Sequence, residues 1–476
     1  MTSFRWTADE VARALEIDSG GGDDIEITGV STDTRKVTRG ALFVALKGAS
    51  FDGHEYLRQA ADGGAVAAVV SRVPEGAPEG VRWFVVDDTL HALGRLGRHR
   101  RRALGGRVVA VAGSNGKTTT KELLKAALSA KFRVHATEGN LNNQVGVPLT
   151  LLAAPDDAEV LVVEVGTNEP GEIALLGAIA EPDAALITSI GEEHLEGLGS
   201  VEGVLEEELA ILPSIRGEGP AFVAEEPPEL PERASQVVGA TRLRVAGFSE
   251  AAMLRPDGGV EGIEVLPGGA TRWEWRGVRV HLPLPGRHNV RNALLALGVA
   301  AEFGVEPEAA ANGIAGMTLP KMRNEWKRIG TVGVLADCYN SNPPSLLAAI
   351  DLLASVPSDG AKVAVVGTMR ELGAHAEALH RRAAEEIAAR VGSGIDHVVA
   401  TGDFVPAFQG IEGLGERIVA AEDPVAAYEL LRPRLKGDET ILLKGSRGVA
   451  LERLIPLLER DFGAPDGASA TTLAGG

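Results

Sequence analysis

Short, uninterrupted apolar runs alternate with segments of helical periodicity along most of the chain. Near the N-terminus Ala41–Leu46, Ala65–Val70 and Val81–Val86 read as strands, and Thr89–Arg102 reads as a helix. Val108–Ala112, Val160–Val165 and Ala184–Ser189 follow as strand candidates, with a helix over Lys117–Ala130. Runs that are apolar on both faces suit a parallel sheet covered by helices. Arg242–Leu284 differs, with short strands and Gly-rich turns that predict antiparallel pairing, and Asn289–Glu302 reads as a helix. From Thr331 a second α/β series begins. Its strands are Val332–Ala336, Lys362–Val366, His397–Ala400 and Thr440–Leu443; its helices are Ser345–Ser355, His375–Val391 and Pro424–Leu431. Gly463–Gly476 is small and polar, and reads as a disordered tail. The pattern predicts an α/β protein of about three domains.

Composition narrows this picture. Hydrophobic residues are 45% of the 476 but aromatics only 4%, so the cores must rest on Ala, Val, Leu and Ile. A net charge of −19 excludes a general nucleic-acid binder, which needs clustered cations. The basic run Arg95–Arg102 reads as a solvated helix face beside a domain boundary. Cys338 is the only cysteine, so no internal disulfide exists and a reducing compartment is expected. There is no apolar signal core and no run of roughly 18 apolar residues. The expected protein is cytoplasmic, without a membrane span, and monomeric.

The candidate chemistry starts where Val108–Ala112 meets the helix at Lys117. Gly113, Ser114, Asn115 and Gly116 make a turn of small residues there. Such a turn can wrap main-chain N–H groups around a polyphosphate, and the helix N-terminus adds partial positive charge. Lys117 would reach the β- and γ-phosphates, and the Thr118 hydroxyl would ligate Mg²⁺. The general pattern asks for Gly at 111, where this chain has Val111. Glu164 ends a buried strand, where an unpaired carboxylate is costly; it reads as a metal ligand or as half of an ion pair. His194 lies just past another strand and is a metal-ligand candidate.

Together these segments resemble the Mur ligase family of peptidoglycan synthesis. Gly29–Lys36, Ala41–Gly48 and Phe51–His54 look like its uridine-nucleotide domain. Gly113–Thr119 resembles the family's phosphate loop, which also lacks the first Gly. Thr137–Pro148, Glu164–Ile173, His194–Ser200, Leu284–Ala293, Asp337–Pro343 and Leu443–Gly448 are similar to segments of the members that add D-Ala-D-Ala. The resemblance implies three domains: a small mixed α/β UDP-binding domain (1–88), a central P-loop parallel-sheet domain (89–318) and a C-terminal Rossmann-like domain (319–462). The tail would be 463–476. It also implies ATP-dependent joining of D-Ala-D-Ala to UDP-MurNAc-tripeptide through an acyl phosphate, with two Mg²⁺ ions.

Residue roles follow by the same resemblance. ATP would meet Gly113, Ser114, Asn115, Gly116, Lys117, Thr118, Thr119, Asn292, Arg323 and Asp337. The catalytic set would be Lys117, Glu164 and His194. Substrate contacts would come from Ser31, Thr32, Lys47, Asn140, Asn143, Thr167, Asn168, Tyr339, Asn340 and Asn342. The last three lie in a loop that also reads as an ordinary Asn-rich turn. The metal set would be Thr118, Glu164, His194 and Glu208.

Glu208 marks a departure. The family commonly has a carbamylated lysine fourteen residues past the histidine, and here that position is Glu208. No lysine occurs between Lys131 and Lys321, so carbamylation in this region is impossible. Glu208 is expected to supply a carboxylate directly; the alternative is that Glu206–Glu208 form a solvated face. Thr368 stands where Asp is usual and Cys338 where Ser is usual; neither is assigned a role. The competing readings are another ligase of the superfamily, a folylpolyglutamate synthase, a plain P-loop switch or kinase, and a non-catalytic scaffold.

Overall fold

A computed structural model describes residues 5–19, 25–48, 50–266, 269–318 and 321–463. Residues 464–476 of the expected tail, and residues 319–320 at the expected third domain boundary, lie outside them. The chain divides into two compact units. The first is Met1–Ile190 with Leu205–Arg255 and Arg291–Gly316; the second is Gly191–Val204 with Pro256–Val290 and Met317–Gly476.

Unit one carries twelve strands among the described residues. They are β1 (Trp6–Thr7), β2 (Glu26–Ile27), β3 (Gly29–Ser31), β4 (Ala41–Val44), β5 (Ala65–Val70), β6 (Arg82–Val85), β7 (Arg107–Ala112), β8 (Val134–Ala136), β9 (Val160–Glu164), β10 (Ala184–Ile187), β11 (Ala221–Ala224) and β12 (Leu243–Ala246). β3-β4-β5-β6 form one parallel sheet and β12-β11-β10-β7-β9-β8 a larger one, also parallel throughout. The larger sheet buries Val108, Ala110, Leu161, Val163, Ala185 and Ile187 in one core, as expected of strands that are apolar on both faces. β12 corrects the expected antiparallel pairing at its position: Leu243–Ala246 pairs parallel with β11.

Unit two holds β13 (Glu264–Val265), β14 (Thr271–Trp275) and β15 (Val278–Leu282), an antiparallel sheet as predicted. It also holds β16 (Glu325–Ile329), β17 (Val332–Asp337), β18 (Lys362–Val366), β19 (His397–Ala400), β20 (Ile418–Ala420) and β21 (Thr440–Lys444). These six form one sheet in the order β16-β17-β21-β18-β19-β20, parallel except for β16. Among the described residues no helix is long and apolar enough to cross a membrane.

The arginine run is only in part a solvated face: Arg98 and Arg102 are exposed, but the two residues between His99 and Arg102 are not. On the helix Thr89–Ala103, Arg100 and Arg101 are buried. Arg101 donates to the carbonyl of Ala180 at 3.0 Å and pairs with Asp183 at 2.7 Å; Arg100 donates to the carbonyl of Ala154 at 2.6 Å. The Ala180 carbonyl ends a helix, so Arg101 satisfies an acceptor that would otherwise lack a partner.

Candidate active site

The turn between β7 and the helix Lys117–Ser129 depends on two glycines in the left-handed region, Gly113 (φ 114°) and Gly116 (φ 86°). A Cβ on Gly113 would lie 2.7 Å from the Thr188 nitrogen, and one on Gly116 would lie 2.8 Å from Nδ2 of Asn292. Neither position admits a side chain without displacing a neighbour. The loop is also held from below. Ser114 N–H donates to the Ser189 carbonyl at 2.8 Å, and Asn115 N–H to the Ser189 hydroxyl at 2.9 Å. The Thr188 hydroxyl donates to the Asn115 carbonyl at 2.6 Å. Lys117 folds over the loop and donates to the carbonyls of Gly113 and Ser114. Val111 lies inside β7, paired with Glu164 and Leu186, where a strand needs no glycine.

Glu164 ends β9 and is buried. Its Oε1 accepts from the Thr118 hydroxyl at 3.1 Å and from Nδ2 of Asn142 at 2.9 Å. Among the described residues its Oε2 accepts no hydrogen bond, and it lies 3.9 Å from Nζ of Lys121. The ion-pair reading has a long pair with Lys121 here, and the Thr118 hydroxyl stands beside the same carboxylate. Hard oxygen donors of this kind fit Mg²⁺. The structure brings together Gly113–Thr119, Glu164, Asn292 and Glu208. Glu208 is buried, and its Oε2 accepts the Gly113 N–H at 2.7 Å. Glu207 is buried as well, so the solvated-face reading fails for both.

The expected substrate residues of unit one lie at strand ends or on the loops after them. Ser31 ends β3 in a turn with Asp33, and Arg35 beside Asp33 lowers that carboxyl to about 2. Thr32 is half-buried next to it. Lys47 is exposed after β4, in a loop pinned by His54, whose Nδ1 meets Asp52 at 2.6 Å and whose Nε2 accepts the Ser71 N–H at 2.9 Å. Asn140 and Asn143 are exposed. Asn143 Oδ1 accepts the N–H groups of Val145 and Gly146, at 3.2 and 2.9 Å, where the helix Gly146–Ala153 begins. Thr167 is buried while Asn168 is exposed, with its N–H on Glu172 at 2.7 Å.

In unit two His194 takes a left-handed conformation (φ 49°), and its Nδ1 lies 2.8 Å from Oε2 of Glu371. A carboxylate on one ring nitrogen orients the other for metal binding. Arg323 stacks over the Tyr339 ring at 4.2 Å. Asp337 pairs with the buried Lys444 at 3.0 Å and accepts the Asn324 N–H at 3.2 Å. Lys444 also donates to the Asn340 carbonyl at 2.6 Å. Asn342 caps the helix Pro343–Ser355 through the Ser345 N–H, so part of this loop is the Asn-rich turn that the plain reading expects. The Thr368 hydroxyl accepts the Asp403 N–H at 3.0 Å, in the wall of a cavity of about 740 Å³ at the strand ends of the sheet. Burial pushes the Cys338 thiol up to about 12, which makes it unreactive.

Sequence reasoning missed Lys121, Asn142, Glu207 and Lys444. Lys121 had a usable signal: it lies one helical turn past Lys117, on the same helix face.

Comparison with known proteins agrees with this geometry. The family model for the Mur ligase middle domain matches residues 111–300. The glutamate ligase domain of Mur ligases matches 322–447, and the Mur ligase family catalytic domain matches 26–101. The UDP-N-acetylmuramoyl-tripeptide–D-alanyl-D-alanine ligase of Bacillus subtilis (strain 168) is 36% identical, over 90% of this chain and 92% of its own. A crystal structure of MurF from Acinetobacter baumannii is 30% identical, with a TM-score of 0.86 over 97% of this chain and 100% of its own. MurF ligase from Thermotoga maritima in complex with ADP is 28% identical, with a TM-score of 0.77 over 91% of this chain and 97% of its own. A shared phosphate loop alone would leave many families open, but similarity sustained along nearly the whole length does not: the chain belongs to the Mur ligase family.

Proposed function

We propose that this chain joins D-Ala-D-Ala to UDP-N-acetylmuramoyl-tripeptide at the expense of ATP, giving UDP-MurNAc-pentapeptide, ADP and phosphate. The relatives named for this reaction, matched over nine-tenths of the chain, support it. The observation that carries the chemistry is the 3.1 Å contact between Thr118 Oγ1 and Glu164 Oε1, directly behind Lys117. It places a hydroxyl, a carboxylate and an ammonium around one turn of main-chain N–H donors.

A carboxylate resists attack by an amine because oxide is a poor leaving group. The tripeptide carboxylate oxygen therefore bonds to the γ-phosphorus, the bond to the β–γ bridging oxygen breaks, and ADP departs. Lys117 exchanges the carbonyls of Gly113 and Ser114 for phosphate oxygens and, with the N–H groups at the N-terminus of the helix Lys117–Ser129, holds the growing charge. The dipeptide amine then bonds to the acyl carbon. The tetrahedral centre collapses with loss of phosphate, and the amine proton leaves with it. Positioning and charge neutralisation supply most of the acceleration.

Mg²⁺, held by Thr118 and Glu164, would neutralise phosphate charge, with Glu208 a further candidate donor; His194 is proposed separately, within unit two, as a metal donor. Asn292, Arg323 and Asp337 are assigned to the nucleotide. Ser31, Thr32 and Lys47 are assigned to the uridine end, and Asn140, Asn143, Thr167 and Asn168 to the sugar and peptide. Tyr339, Asn340 and Asn342 are assigned to the dipeptide. The reaction is assigned to the cytoplasm, as part of peptidoglycan precursor synthesis.

The test is phosphate release from ATP with UDP-MurNAc-tripeptide, with and without D-Ala-D-Ala. Release should require the dipeptide. Release that ignores it, or that proceeds equally with free amino acids, contradicts the reading.

A further inference from the structure

The segment Leu205–Leu209 carries three consecutive glutamates with different surroundings. Glu206 is exposed, while Glu207 and Glu208 are 6% and 0% exposed. Buried carboxylates are costly unless donors satisfy them, and here main-chain N–H groups meet both oxygens of Glu207 and Oε2 of Glu208. Glu207 Oε1 accepts from Ile173 N–H at 2.7 Å, and Oε2 from Gly171 N–H at 2.7 Å. The Thr167 hydroxyl lies 3.3 Å from Oε1. Gly171 is the N-cap of the helix Glu172–Ala180 and has no side chain to cap it, so Glu207 does this from another element. Glu208 Oε2 takes the Gly113 N–H of the phosphate loop.

Neighbouring residues on a helix point about 100° apart, so one turn can reach two loops at once. We propose that Glu207 and Glu208 are positioning residues that form a two-carboxylate brace. It locks the phosphate loop and the 167–173 turn in one register. A second strut supports the same turn: Gln144 Nε2 donates to Glu172 Oε1 at 3.0 Å, and Glu172 Oε2 accepts the N–H groups of Asn168 and Glu169. The kinetic consequence rests on the functional reading above, in which Thr167 and Asn168 face the UDP-linked substrate.

Glu207→Gln is near-isosteric but turns an NH₂ group toward one of the two N–H donors. Glu208→Gln can still accept from Gly113 through its amide oxygen, whereas Glu208→Ala cannot. The expected result for Glu207→Gln is a KM for UDP-MurNAc-tripeptide raised about tenfold, with the KM for ATP within about twofold. Glu208→Ala should raise the KM for ATP, and Glu208→Gln should raise it less. A purely structural role would lower thermal stability and move both KM values together, which would overturn the proposal.

Hydrogen–deuterium exchange needs no substrate and so tests the brace apart from the function. In Glu207→Gln, exchange across 167–173 should quicken. In Glu208→Ala, the phosphate loop should quicken. Unchanged exchange in both variants overturns the brace. A wild-type protein that releases no dipeptide-dependent phosphate would overturn only the functional reading.

Discussion

Glu208, fully buried, presents its carboxylate to the main-chain N–H of Gly113 at 2.7 Å. In the family a carbamylated lysine commonly occupies this position, and its anion depends on dissolved carbon dioxide. A glutamate brings the anion without that step. Activity of this chain should therefore be indifferent to added or stripped bicarbonate. Glu208→Lys should lose about 10- to 100-fold in activity, because an ammonium would face an N–H donor, and bicarbonate should restore part of it. A wild-type enzyme that needs bicarbonate would contradict the assignment.

Glu164→Gln separates charge from shape. The amide oxygen can still accept from Thr118 and Asn142, so the fold should persist. The Mg²⁺ concentration for half-maximal activity should rise about 10- to 100-fold, measured by titration at saturating ATP. An unchanged titration would remove Glu164 from the metal site.

Gly116→Ala tests the loop itself. At φ 86°, and with Asn292 in the path of a Cβ, the substitution should cost about 1–3 kcal/mol in urea unfolding. The KM for ATP should rise, while the KM for the UDP substrate stays near wild type. Unchanged stability and unchanged ATP binding would contradict the geometry.

The phosphate loop was legible because it is contiguous: residues 113–119 carry their own turn, lysine and hydroxyl. The strands of both large sheets were legible because parallel strands are apolar on both faces. Glu207 was not, because its partners at 167–173 lie some 36 residues away and are main-chain groups of no particular residue type. The arginine run misled for the same reason, since the carbonyls of Ala154 and Ala180 leave no mark in the sequence. Leu243–Ala246 was grouped with the Gly-rich turns that follow it, although its pairing is set by β11.

Cys338 makes a prediction about pH. Its thiol is raised from an ordinary 9.0 to about 12, with burial the main cause. A raised folded pKa gives stability that is full below pH 9 and is lost as pH climbs toward 12. At pH 8 the native protein should resist iodoacetamide, while urea-unfolded protein should be alkylated at once, as read by intact mass. Alkylation of the native protein at the rate of a free thiol would contradict the buried placement.

The central claim is that phosphoryl transfer to the substrate carboxylate precedes amide formation. It is tested most directly with UDP-MurNAc-tripeptide carrying ¹⁸O in its terminal carboxylate, together with ATP and D-Ala-D-Ala. Each phosphate released should carry one ¹⁸O from that carboxylate, in step with each UDP-MurNAc-pentapeptide formed. Phosphate without ¹⁸O, its one new oxygen drawn from solvent, or phosphate released without pentapeptide, would contradict the account.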